Sequence, residues 1–434
     1  MPLRSLKPKT KFSFRRRSMT TAPGSSPAEL SIPTHFLCPI SLDLMKDPVT
    51  LPTGITYDRQ SIETWLDAGN TTCPVTNQSL VFSGDGDIIP NHAIRRMIQG
   101  WCVFHKSHGV DRIPTPKIPI TSLQVAEALS EIAVACRRRD EDRCLELVEK
   151  IKTWAAESER NRRCITSNGV TQVLAAAFRD FPTEQILSAI AGFLTQADRE
   201  IRKQLASPES LAVIVSILRS GNLSGRINAA VVVKEIVADD SAEASVIART
   251  EGLIGSLVKL VKEPISPQAT KAALVAAYYL VSSGEAAAAR FAEMGLVTIL
   301  LEMLVDCEKS FCEKGLAVLD GILSSEVGRE KAAGHSLAVP VLVKKMMRVS
   351  DMATEFAVSA IWRLCRKEKK NGGGGCLTEA LQAGAFQKLL LLLQVGCGEG
   401  TKEKASELLK MMNGLRGKVE CIESMDFKGI KRQF

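Results

Sequence analysis

The residues best suited to chemistry crowd into one stretch, 33–105, which holds Cys38, Cys73 and Cys102 with His35, His92 and His105 and ends just before His108. Zinc is the first chemistry to weigh. A two-zinc cross-brace needs eight ligands arranged in close pairs. Cys38 and Cys73 are 35 residues apart, and neither has a partner cysteine two or three positions away. The stretch is therefore expected to hold no metal. Nucleophilic catalysis fares no better. There is no GxSxG and no HExxH, and Gly396-Cys397-Gly398-Glu399-Gly400 reads as a turn at a helix end. Cys38 and Cys73 lie in apolar Cys-Pro loops without a neighbouring base, so they read as small core residues. No cofactor motif is present. What remains is a platform that binds, its loops held by hydrogen bonds and ion pairs among Asp47, Tyr57, Asp58, Arg59, Glu63 and Asn91.

The elements that position these loops follow from the turn and cap residues. Pro39, Pro48 and Pro52 forbid a helix before residue 53. Val49-Thr50-Leu51 and Ile55-Thr56-Tyr57 flank Pro52-Thr53-Gly54 and predict a hairpin. Asp58 is placed to cap a helix running to about Ala68, with Gly69 as its stop, Ile62 and Leu66 inward and Trp65 near the rim. A second loop, 70–80, carries Cys73-Pro74, and 83–87 reads as a plain turn. Asn91 is placed to cap a last helix with Ile94, Met97, Ile98 and Trp101 on its buried face.

Composition bounds the rest. The 434 residues are 45% hydrophobic but only 5% aromatic, which favours stacked helices over a sandwich or barrel. Of the +8 net charge, seven positive charges sit in the acid-free first 28 residues, so the body is nearly neutral and unlike a nucleic-acid-binding domain. Twelve cysteines without a CxxC pair, and no signal-peptide pattern, predict reduced thiols in a cytoplasmic setting, with a nuclear address on 15–17 left open. No apolar run approaches ~18 residues, so no membrane span is expected.

Beyond a stiff linker at Pro114, Pro116 and Pro119, a small residue recurs before an apolar run. Gly169, Ser210, Gly252, Gly295, Ala338 and Gly384 are spaced by 41, 42, 43, 43 and 46 residues. A period of about 40–47 predicts an armadillo or HEAT-like solenoid of two or three helices per repeat. Its 389–393 run, LLLLL, reads as a buried helix, and the glycines at 372–375 as a tether between helices. Glu235, Tyr278 and Asp320 recur at a comparable point of several repeats. Trp362 sits in a similar context and is expected to pack the core. No regular Asn and Trp ladder of the kind basic-peptide receptors use is present.

Residues 33–105 resemble a U-box: Pro33, Phe36, Cys38-Pro39-Ile40-Ser41-Leu42, Met45, Asp47-Pro48-Val49, Thr53-Gly54, Thr56-Tyr57-Asp58-Arg59, Trp65, Cys73-Pro74, Thr76 and Ile89-Pro90-Asn91. With a helical array behind it, the chain resembles the plant U-box ubiquitin ligases with C-terminal armadillo repeats. The resemblance implies a small α+β, zinc-free RING-like domain followed by an all-α solenoid. Its expected layout is a basic tail (1–31), a U-box (32–107), a Pro-rich linker (108–121), a helical lead-in (122–160), the repeats (161–416) and a tail (417–434). It implies that Ile40 and Leu42 on the first loop, Trp65 on the helix and Pro74 on the second loop bind a ubiquitin-charged conjugating enzyme (E2). Many active ligases of this type carry an Arg where this chain has Asn77, which donates a hydrogen bond but no charge and has a shorter reach. The implied activity is transfer of ubiquitin to a substrate lysine. The repeats would recruit a protein substrate or a receptor-type regulator, and a U-box homodimer is an arrangement left open. The competing reading is a non-catalytic scaffold whose U-box only docks or dimerises.

Overall fold

A computed structural model describes residues 32–80, 88–113, 119–194, 199–238, 241–368 and 375–414. The basic tail, the 83–87 turn, residues 114–118 of the proline linker, the 372–374 glycines and the 417–434 tail lie outside the described residues. The chain divides into two compact units, one ending at Ile118 and the other beginning at Pro119.

In the first unit, strands β1 (Pro48–Thr50) and β2 (Thr56–Asp58) form the expected antiparallel hairpin, with Thr50 opposite Thr56. The turn closes through Gly54, whose φ of +78° suits a residue without Cβ and whose N–H donates to Leu51 O at 2.9 Å. Strand β3 (Ile89–Pro90) pairs on the other edge of β1, giving the order β2-β1-β3. Helix α1 (Arg59–Asp67) follows β2 directly and stops at Ala68, with Gly69 at φ +85°. Helix α2 (His92–Phe104) starts at Asn91, whose Oδ1 accepts from Ile94 N at 3.0 Å. The Asn91 amide also donates to Thr50 Oγ1 (3.1 Å) and Thr56 Oγ1 (3.3 Å), so one side chain both caps α2 and pins it to two strands. The small core is built from Phe36, Met45, Val49, Leu51, Tyr57, Ile62 and Ile98, with Cys38, Cys73 and Cys102 filling the gaps between them.

Two expectations change here. Met97 is not on the buried face of α2: it is 53% exposed, and Cys102 takes the inward place. Asp58 stands at the N-cap of α1 without making a side-chain cap bond; its Oδ1 instead accepts from Lys46 N (2.8 Å) and Asp47 N (2.9 Å). A carboxylate at a helix start is free to turn away when two other amides offer better-aligned donors.

The second unit is all-α. Helices α3 (Ser122–Arg138) and α4 (Glu141–Glu157) form a hairpin, and six three-helix repeats follow. They are α5 (Glu159–Ser167), α6 (Val170–Asp180) and α7 (Glu184–Phe193); α8 (Arg199–Leu205), α9 (Pro208–Ser220) and α10 (Leu223–Val237); and α11 (Ser241–Ile247), α12 (Leu253–Lys262) and α13 (Pro267–Ser282). Then come α14 (Glu285–Glu293), α15 (Leu296–Val305) and α16 (Lys309–Ile322); α17 (Glu326–Ala333), α18 (Ala338–Lys345) and α19 (Asp351–Glu368); and α20 (Gly375–Gln382), α21 (Ala385–Val395) and α22 (Glu399–Asn413). The recurring small residues mark the second helix of each repeat. Gly169, Gly252, Gly295 and Gly384 are its N-caps, with φ of +78°, +76°, +81° and +81°. That left-handed corner is cheap only for glycine, which is why the period shows in the sequence.

Third helices pack in one row, α7 to α10, α13, α16, α19 and α22, and second helices in another, α9 to α12, α15 and α18. The lead-in hairpin joins both: α3 packs on α6 and α4 on α7. It supplies the faces of an incomplete repeat at the N-terminal end, as a solenoid cap must. At the other end the leucine run is only half inside. Leu389 and Leu392 are buried, whereas Leu390 and Leu391 are 43% and 47% exposed among the described residues. Among the described residues, no single helix is long and apolar enough to cross a membrane.

Candidate functional site

The two Cys-Pro loops are built to one plan, offset by 35 residues. In the first, Leu42 N donates to Cys38 O (2.8 Å), Cys38 N to Asp43 O (2.9 Å), and Leu37 bridges Leu44. In the second, Asn77 N donates to Cys73 O (2.9 Å), Cys73 N to Gln78 O (2.9 Å), and Thr72 bridges Ser79. Each loop turns on a non-glycine residue of positive φ, Leu42 at +58° and Asn77 at +56°. Asn visits that region readily; Leu does so at a cost of roughly 1–2 kcal/mol. The signal was open to view as Cys-Pro-Ile-Ser-Leu against Cys-Pro-Val-Thr-Asn.

Consecutive residues at the end of β2 hold one loop each. Asp58 N donates to Cys38 Sγ at 3.3 Å. Tyr57 Oη lies 3.0 Å from Cys73 Sγ and accepts from Val75 N (3.3 Å), which leaves the phenol proton facing the sulfur. Thr53 Oγ1 donates to the same sulfur at 3.4 Å. Burial raises the Cys73 thiol, but hydrogen bonds from Thr53, Thr76 and Tyr57 outweigh it and lower its pKa to about 6. Cys38 is also lowered: burial opposes, and the Ser41, Asp58 and Ile40 backbone amides prevail. Tyr57 moves the other way, raised first by burial and then by the sulfur beside it. The cysteines are thus core residues, as expected, and hydrogen-bond hubs as well. Among the described residues, no three or more His, Cys, Asp and Glu side chains gather as metal ligands.

Helix α1 joins the arrangement through Trp65, whose Nε1 donates to Thr72 O (2.8 Å), while Asn70 Nδ2 donates to Trp65 O (2.9 Å). Asp47, just before β1, pairs with Arg59 on α1 (2.7 Å) and Arg95 on α2, so one carboxylate ties both helices to the sheet. Of the five candidate residues, Ile40 and Trp65 are half-buried and packed against the same core. Pro74 is half-buried, Leu42 is 69% exposed, and Asn77 is exposed. Val75, beside Pro74, is 52% exposed and was not singled out from the sequence.

Against known families, residues 32–107 match the U-box domain and residues 124–431 match the plant U-box protein armadillo repeat region. The chain belongs to the plant U-box proteins. It is 45% identical to U-box domain-containing protein 21 of Arabidopsis thaliana over 95% of each chain. It is 34% identical to E3 ubiquitin-protein ligase PUB23 of the same plant, over 88% of this chain and 93% of that one. Among solved structures, an engineered protein from the Northeast Structural Genomics Consortium covers 67% of this chain and 68% of its own at TM-score 0.52 and 17% identity, a likeness of fold alone.

The second candidate surface of this U-box protein is its row of third helices. Glu235, Tyr278, Asp320 and Trp362 stand at matching places on α10, α13, α16 and α19. They are not idle side chains. Asp320 accepts from Arg363 at 2.9 Å, and Tyr278 meets Phe356 edge-on at 6.2 Å. Trp362 leans on the core but is only half-buried. Its Nε1 donates to Glu407 (2.7 Å), and Arg366 lies 4.7 Å from its ring centroid. The expectation of plain core packing for Trp362 is therefore incomplete.

Proposed function

We propose that the chain is a ubiquitin ligase whose U-box holds a ubiquitin-charged E2 on Ile40, Leu42, Trp65, Pro74 and Asn77. Family membership supports the reaction class. The observation that carries the site is the pairing of the two loops on Tyr57 and Asp58, with Trp65 bonded to the second. An apolar, partly exposed set of side chains on rigid loops is what a docking surface requires. The ligase supplies no nucleophile. Ubiquitin passes from the E2 thioester to a substrate lysine amine, and the protein contributes orientation and proximity. Asn77 donates to this encounter without charge, so the E2–ubiquitin contact is weaker than an Arg would make it.

The third-helix row recruits the protein substrate or a regulator. Its mixed aromatic and paired charged groups suit a folded or extended polypeptide, and their central placement suits a few strong anchors.

The test is ubiquitin-conjugate formation with a permissive E2. Leu42→Asn puts a residue that tolerates positive φ at that corner, removes an exposed apolar group and leaves the core untouched. It and Ile40→Ala should each lower conjugate yield at least tenfold; Leu42→Asn should not lower the thermal transition, whereas Ile40→Ala, which also loses core contacts, should lower it while the U-box stays folded at the assay temperature. Wild-type-like yields in both would overturn the assigned surface. A wild type that binds E2 but builds no conjugates would instead favour the scaffold reading.

A further inference from the structure

The second helices of the last four repeats can be laid on one another residue by residue. Counted from the first residue of each, the sixth place is Val258 in α12, Leu301 in α15, Val343 in α18 and Leu390 in α21. The first three are buried, and Leu390 is not. The seventh place is Lys259, Glu302 and Lys344 in the three earlier repeats, all exposed, and Leu391 in the last. The eleventh is Glu263, Asp306 and Arg348, again exposed, and Val395 in the last, where it is 70% exposed. Leu391 and Val395 stand one turn apart on the same ridge of α21. The last repeat thus carries apolar side chains where its predecessors meet water with charges. A solenoid end that faces solvent needs the reverse, a polar outer face. The sequence of α21 is that of a helix with something laid over it.

The occupant nearest to hand is the chain itself. Helix α22 packs on α21 and ends at Asn413, and residues 415–434 follow it directly. Val395 lies about 15 Å along α21 from its first residue, whereas ten extended residues span about 35 Å, so the segment reaches the whole face. The match to the armadillo region of the family also continues through residue 431, past the end of α22. The segment holds Leu415, Val419, Ile422, Met425, Phe427 and Ile430, enough apolar side chains to cover three. Its charges suit the far end of the face. There Val395 borders a cavity of about 450 Å³ that Met347, Leu392 and Cys397 also line, and in which Arg348, Asp351 and Glu355 leave one acid in excess. Residues 428–434 carry Lys428, Lys431 and Arg432 and no acid. A tethered segment acts at an effective concentration on the order of millimolar, which an untethered partner of similar affinity rarely matches.

We propose that residues 415–434 turn back over α21, cover Leu390, Leu391 and Val395, and close the solenoid as the α3–α4 hairpin closes its other end. None of the three covered residues is assigned to E2 or to the third-helix row, so the proposal stands or falls separately from both assignments.

Two measurements on the full chain test it. A Leu391→p-benzoylphenylalanine variant, irradiated in dilute solution, should crosslink within one chain to a peptide from 415–434. A crosslink to a second copy, a crosslink to any other segment, or none at all overturns the proposal. Hydrogen exchange supplies the second reading. Leu391→Lys combined with Val395→Glu puts back the charges that the α12 repeat carries at those places, on side chains already exposed. It should speed exchange in peptides from 415–434 at least tenfold and leave those from α12 to α18 unchanged, which shows the repeats still folded. Equal exchange of 415–434 in the wild type and the double variant overturns the proposal as well.

Discussion

Replacing Asp47 by Asn should unfold the U-box at temperatures that leave the repeats intact. Asp47 pairs with Arg59 and Arg95, whose side chains are only 14% and 11% exposed, and is itself 21% exposed. Arg59 keeps a second carboxylate, Glu63, at 3.7 Å. Among the described residues, Arg95 keeps only a 3.4 Å contact to His92, and its Nε is already buried without a partner there. The loss therefore falls mainly on Arg95. Stranding a buried charge costs about 3–5 kcal/mol, and the residual exposure here argues for the lower end, ~3 kcal/mol. A unit of this size has about 4–11 kcal/mol in total. In a domain this small each kcal/mol moves the midpoint by about 4–8 °C, so the U-box transition should fall by about 12–24 °C. Calorimetry gives the midpoints, and hydrogen exchange read on peptides from 32–80 and 88–113 assigns the lower one to the U-box. Adding Arg95→Leu removes the stranded charge and should recover at least half the loss. A midpoint lowered by less than about 5 °C, or an equal drop in the repeats, would refute the idea that this ion cluster holds the domain.

Two further outcomes follow from the geometry. Because Cys73 is lowered to about 6 in the fold, its contribution to stability is complete above the unfolded thiol's pKa and is lost as pH falls through 6. The U-box midpoint should thus rise between pH 6 and 9; Cys38, also lowered, acts in the same direction, and Cys73→Ser should flatten the slope. In the repeats, a Cβ at Gly328 would run into the Ile322 carbonyl, a backbone group that cannot swing away. Gly328→Ala should cost about 1–3 kcal/mol in the repeat transition and spare the U-box, as calorimetry of the full chain can show.

Much of this fold was legible because the chain marks its corners with residues that have few alternatives. Gly54, Gly69, Asn91 and the repeat glycines each fix a turn or a cap, and the structure places each where the sequence put it. What stayed hidden were choices between equivalent partners. Asp58 had a helix start within reach, yet it bonds Lys46 and Asp47 amides brought from twelve and eleven residues away. Met97 fits the inward period of α2 as well as Cys102 does, and only the position of the sheet decides which turns out. Trp362 read as core because its partner Glu407 lies 45 residues on, in the next repeat. Local pattern fixes an element; long-range pairing fixes which of its faces is used.

The same distinction explains how this U-box keeps two loops rigid. A metal would cross-link them directly. Here each loop closes on its own backbone, and both are then fastened through sulfur to adjacent residues of one strand. Tyr57 and Asp58 cannot move independently, since a strand sends neighbouring residues to opposite faces at fixed spacing. A displacement of β2 must therefore carry Cys38 and Cys73 together. Because β2 is also hydrogen-bonded along β1, which Asn91 and Asp47 fix to the helices, the loops share one rigid reference rather than two. Ile40 and Pro74 sit two residues and one residue beyond those sulfurs, too few bonds for either to drift. The docking surface proposed above would depend on that, because a weak, transient contact has little binding energy to spend on ordering its own loops.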